Sequence, residues 1–134
     1  MNRKVSQIIC TVIMVLMLVS CKNAKQKLQE YVITYNSTAA NFKAEDVTLT
    51  TARGYINDDK IELRFETNLG QNAANKAKAE SSFPKLLKEM INKDQIPKQL
   101  VEEGVQFDTY FLADDNTVFV KQIINKESLA ELLK

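Results

Sequence analysis

The 134-residue chain has no histidine and no tryptophan, only two cysteines, three glycines and two prolines. Each shortage excludes something. Without histidine, the histidine-based triads are unavailable. Both cysteines, Cys10 and Cys21, fall in the first 21 residues, so the rest of the chain offers neither a thiol nucleophile nor a disulfide. Zinc is poorly served by a chain with no imidazole and no thiolate beyond residue 21. The 18 cations and 17 acids nearly cancel. There is thus no basic field for nucleic acid and no acidic tail. No cofactor is implied.

The amino terminus is distinctive. Arg3 and Lys4 precede an apolar run from Ile8 to Val19 in which Thr11 is the one plainly polar residue. As a helix this run spans roughly 18 Å, short of a hydrocarbon core of about 30 Å. It is better suited to an export signal than to an uncleaved membrane anchor. The run ends Leu18-Val19-Ser20-Cys21, which resembles the lipobox of bacterial lipoproteins. The resemblance covers residues 1 to 21 only. It implies removal of residues 1–20, diacylglyceryl transfer to the Cys21 thiol, and attachment of the mature protein to a membrane through acyl chains. Two or more chains anchor a protein stably.

The residues after the cysteine refine the address. Lys22 is not the aspartate of an inner-membrane retention signal, and Lys22, Lys25 and Lys27 are not the acidic cluster of a surface-export signal. The periplasmic face of the outer membrane is expected in a two-membrane host. The same three lysines are candidate contacts for anionic head groups. Residues 21–27 are expected to form the lipidated tether and 28–134 a single domain. The mature chain of about 114 residues is long enough to fold by core packing alone.

Hydrophobic periodicity predicts the elements. Leu28, Tyr31, Val32, Tyr35 and Ala39 share one face of a helix over residues 22–40. Residues 46–67 read as a β-hairpin: Ile61, Leu63 and Phe65 alternate with Glu62, Arg64 and Glu66, Asn57-Asp58-Asp59-Lys60 form the turn, and Gly54 marks a possible bulge. Residues 68–81 read as an exposed loop or a solvated helical extension, and Ser81-Ser82-Phe83-Pro84 as a helix start. A short helix follows over 94–103. A second hairpin spans 105–124 around Ala113-Asp114-Asp115-Asn116, with Phe107, Thr109, Phe111, Val118 and Val120 expected on one face and Tyr110, Leu112, Phe119 and Ile123 on the other. Asn125 caps a terminal helix. The order α-β-β-α-α-β-β-α predicts an α+β fold: a four-stranded antiparallel sheet from two hairpins, with helices on one face.

Candidate chemistry is thin. Ser81, Ser82 and Ser128 could in principle pair with a lysine, yet each sits at a helix start. Glu62 with Glu66, or Asp108 with Asp114, could form a carboxylate pair for glycoside hydrolysis, although Glu62 and Glu66 suit the wet face of a strand. Asp58-Asp59 and Asp114-Asp115-Asn116 lack the spaced oxygens of a calcium loop. Tyr31, Tyr35, Tyr55 and Tyr110 combine apolar area with a hydroxyl and are candidates for recognition. The expectation is a non-enzymatic, lipid-anchored module that holds an envelope protein partner at the membrane. The alternatives are binding of a small lipid or peptidoglycan fragment against the apolar second hairpin, and a hydrolase using carboxylates alone.

Overall fold

The computed structural model describes residues 23–134. The expected signal, Cys21 and Lys22 lie outside that range. The element order is the expected one: α1 (Ala24–Thr38), β1 (Val47–Tyr55), β2 (Lys60–Thr67), α2 (Ala73–Asn92), α3 (Lys98–Glu102), β3 (Gln106–Leu112), β4 (Val118–Ile124) and α4 (Lys126–Leu132). Asn23 caps α1, its side chain accepting from the Gln26 N–H at 2.9 Å. Helix α1 thus starts inside the stretch expected as tether: residues 24–27 form its first turn.

The fold is α+β and the strands lie in the order β1-β2-β3-β4. Both hairpins are antiparallel, but β2 and β3 run parallel. The sheet is therefore mixed, which corrects the all-antiparallel expectation. The cause is α2. It begins at Ala73, capped by Asn72, and continues through Pro84 for 20 residues. That is about 30 Å of helix, enough to return the chain along the full length of a strand. β3 then starts beside the start of β2, fixed by the Gln106 N–H donating to the Asp59 carbonyl at 2.9 Å. A crossover of this kind joins parallel strands. Pro84 removes one N–H from the helix interior, and Phe83, Leu87, Met90 and Ile91 supply the buried stripe that holds the helix on the sheet.

The core lies between the sheet and the helices. Ile61, Leu63, Phe65, Phe107, Phe111 and Ile124 face α2 and α1, and Leu28, Ala79, Ile96, Leu100, Val101 and Leu129 complete it. Phenylalanines run through it in sequence: Phe42, Phe65, Phe83, Phe111 and Phe119 have successive ring centroids 5.2 to 6.5 Å apart.

Two bulges set which side chains of β1 and β4 face inward. One between Val47 and Leu49 turns Thr50 and Ala52 inward and leaves Leu49 outside. The other lies at Phe119, where Phe111 pairs with Val120 and Leu112 with Val118. It puts Val118 and Val120 on opposite faces and buries Phe119. Gly54 is not a bulge. It pairs regularly with Ile61, and its missing side chain lets α1 settle on β1. A Cβ there would stand 3.0 Å from Leu28 Cδ2 and 3.3 Å from Val32 Cγ2. Gly104, with φ +103, ends α3 in a left-handed conformation.

Candidate functional site: a trough beside the first helix

The apolar face of α1 rests on β1 and β3 through two tyrosines. Tyr31 meets Phe107 edge-on at 5.4 Å, and its hydroxyl crosses to the Gln95 carbonyl at 2.7 Å. Tyr35 bonds Thr50 Oγ1 at 2.6 Å, and that hydroxyl donates onward to the Arg64 carbonyl at 3.0 Å. Burial raises the pKa of both phenols. Tyr31, also raised by the neighbouring Tyr35 phenol, is shifted furthest. Tyr35 is pushed up to about 12 by burial, partly offset by its bond to Thr50.

After α1 a short 3-10 turn, Ala39–Asn41, leads into a strap that crosses toward α2. Phe42 drops from it onto Phe65 at 5.8 Å. Asp46, in a left-handed conformation, and Glu45 pair with Lys78 of α2 at 2.8 and 3.5 Å. The strap and α1 do not close fully on α2 and α3. Between them lies a hollow of about 330 Å³ walled by Tyr31, Thr34, Tyr35, Thr38, Phe42, Asp94 and Gln95. Past Tyr31 and Thr34 a second, of about 260 Å³, runs between Lys27, Glu30, Pro97 and Leu100. Past Phe42 and Gln95 a third, of about 290 Å³, runs over Lys85, Leu86, Met90 and Phe111. Neighbouring hollows share lining residues, so the three form one open trough, crossed by the Tyr31 hydroxyl, whose middle is aromatic and whose far end is charged, with Lys43, Glu45, Asp46, Lys85, Glu89 and Lys93 on its wall.

The candidate residues distribute unevenly around it. Tyr31 and Tyr35 line the trough while also packing on the core. Lys27 is on its wall, held by Glu103 at 2.7 Å, and Lys25 is exposed on the outer side of α1. Phe42, Thr34 and Gln95 were not among the candidates. Phe42 had a legible signal, a lone aromatic in the polar stretch from Asn41 to Asp46. Gln95 had none, since its backbone carbonyl is what matters.

Ser82 lies on the wall of the third hollow, and the remaining candidates lie elsewhere. Ser81 donates to the Lys78 carbonyl within α2, and Ser128 is engaged in the cap of α4. Asp58-Asp59 and Asp114-Asp115 occupy hairpin tips at opposite ends of the sheet. Asp114 is correspondingly far from Asp108, which lies within β3. Asp115 accepts from the Thr117 hydroxyl at 2.6 Å, which lowers its pKa.

Glu62, Glu66, Asp108, Tyr55 and Tyr110 all lie on the sheet face away from the helices, where Leu49, Val118 and Ile123 are exposed while Asp108 and Leu112 are buried. There Lys60 approaches Asp108 at 3.6 Å and Arg64 approaches Glu62 at 3.9 Å. Lys60 and Arg53 stand over the Tyr55 ring, and Lys121 over Tyr110. Of the second hairpin's apolar residues, Phe107, Phe111 and Phe119 belong to the core. Among the described residues no helix is long and apolar enough to cross a membrane.

No protein-family model and no curated protein sequence matches this chain. Among solved structures it is similar to the type II secretion system pilotin AspS from Vibrio cholerae. The two share 16% sequence identity at a TM-score of 0.40, over 77% of this chain and 95% of that one. A likeness of that extent carries no argument about function.

Proposed function

We propose that this chain is the precursor of an envelope lipoprotein whose domain, anchored through acyl chains on Cys21, holds a segment of a protein partner in the trough beside α1. The trough carries the reading. It is open along its length, and its middle is walled by Tyr31, Tyr35 and Phe42, residue types that give contact area at low entropic cost. A small-molecule site of comparable volume would enclose most of its ligand, whereas this trough admits a chain that enters and leaves. The short apolar run ending at Cys21 supports the anchor. Only Lys22 separates that cysteine from the cap of α1, so the trough would be held close to the bilayer, on the periplasmic face of the outer membrane in a two-membrane host. Lys25, exposed on α1, would face anionic head groups, while Lys27 serves the wall of the trough.

Two experiments test the parts separately. Intact-mass spectrometry of the native protein should show cleavage before residue 21 and an added acylated glyceryl group, and Cys21→Ser should release the protein from the membrane fraction. A photo-crosslinking amino acid at Thr34 should capture a discrete envelope protein in intact cells, and the same group at the outward Ile33 should not. An unmodified full-length chain overturns the anchor. Absence of a Thr34-specific product overturns the trough.

A further inference from the structure

We infer that the open face of the sheet is a contact surface for a second copy of this chain, the two sheets packing face to face about a twofold axis that crosses β2 between Glu62 and Arg64. This surface is separate from the trough, which lies on the other side of the sheet.

The outward residues of β2 are Lys60, Glu62, Arg64 and Glu66. Their signs alternate, with a cation at one end and an acid at the other. Reversing the strand inverts the pattern. A second β2 laid antiparallel across the first therefore sets Lys60 against Glu66 and Glu62 against Arg64, and each pair occurs twice. Within one chain Lys60 approaches Asp108 at 3.6 Å and Arg64 approaches Glu62 at 3.9 Å, so pairs across the axis exchange these local contacts for intermolecular ones. This face also carries apolar side chains at its margins. Leu49 on β1, and Val118 and Ile123 on β4, are three of the four large apolar side chains exposed among the described residues. Charge complementarity at the centre and apolar area at the rim are both served by a copy of the same face.

The geometry permits it. Stacked sheets cross at about 30°, so the match is closest near the axis and loosens at the edges. Rotation about an axis that runs across the strands keeps each strand opposite its own copy. Both α1 helices, which lie over β1, then fall on the same lateral side of the dimer, as two chains anchored in one membrane require. The face measures roughly 19 by 23 Å from strand spacing and rise, or about 900 Å² for the pair. Stable interfaces start near 1,200 Å², so the dimer is weak, concentration-dependent and sensitive to salt.

Sedimentation equilibrium of the full chain in density-matched detergent, from about 10 μM to about 1 mM, tests this. The unaltered chain should dimerise over that range and dissociate as sodium chloride is added. Glu62→Arg and Arg64→Glu should each weaken association at least ~10-fold. The double exchange, Glu62→Arg with Arg64→Glu, restores the sign pattern and should restore the dimer. If either single variant fails to fold by circular dichroism, the double exchange of Lys60→Glu with Glu66→Lys takes its place and should dimerise as the unaltered chain does. A monomer at every concentration, a dimer indifferent to single reversal, or a double exchange that stays monomeric overturns the inference.

Discussion

Asn36 stands where a further strand would. Its amide nitrogen donates to the Ala52 carbonyl at 2.9 Å, and its oxygen accepts the Ala52 N–H at 2.8 Å. One side chain thus satisfies both backbone groups of a residue on the edge strand β1, a position that otherwise invites pairing with another chain. Asn36→Ala removes both bonds at once. A net contribution of about 1 kcal/mol per bond gives an expected loss of about 2 kcal/mol in urea unfolding, with aggregation increased as the edge is bared. Tyr35→Phe is milder. It removes the 2.6 Å bond to Thr50, whose hydroxyl keeps its own bond to Arg64, and the expected loss is about 1 kcal/mol.

At the scale of elements, Gly54 decides how closely α1 approaches β1. Gly54→Val would push a branched side chain into Leu28 and Val32, and overpacking of this kind costs about 1–3 kcal/mol. Thermal unfolding followed by circular dichroism should show the loss, and Val32→Ala in the same chain should recover part of it. This contact also shows where the sequence stops being informative. The glycine was visible, but its reason lies on a helix some twenty residues earlier in the chain, and only local pattern can be read from local residues. The alternation around Ile61, Leu63 and Phe65 placed β2 correctly for that reason, as did the Asn125 cap for α4. Of the two readings of residues 68–81, the solvated helical extension holds over 73–80; the pattern leaves the choice open because Pro84 and two serines imitate a helix beginning, while residues 73–80 offer a single buried side chain, Ala79. On that choice rests the sense of the sheet. A helix begun at Ser81 leaves the return path undetermined, whereas a helix begun at Ala73 makes the crossover long enough to be parallel. The trough was half legible. Tyr31 and Tyr35 stood out as aromatic residues on one helical face, but the opposite wall comes from Phe42 and Gln95, which no periodicity joins to them.

At the scale of the whole molecule, the same two tyrosines tie the first helix to the rest, and they make alkaline pH the condition that separates the two. Both phenols have a higher pKa in the folded chain than the ordinary value near 10, chiefly through burial. Below pH 10 both are protonated in either state, so stability is independent of them. Above it the unfolded chain releases protons that the folded chain retains, and stability falls by at most about 1.4 kcal/mol per pH unit for each group. For Tyr35 the fall ends near pH 12, where the folded phenol also ionises. For Tyr31 it continues. Lys78 and Lys121, whose pKa values are raised by Asp46 and by Tyr110, act in the same direction, since the charge that favours the fold is lost as pH rises. Urea unfolding at intervals from pH 8 to 11.5 should therefore show a plateau followed by a steep decline. In Tyr35→Phe the plateau should be lower and the decline shallower by about one proton. An equal slope in the variant would show that Tyr35 ionises as freely in the folded chain as in the unfolded one, and its wall of the trough would then be open to water.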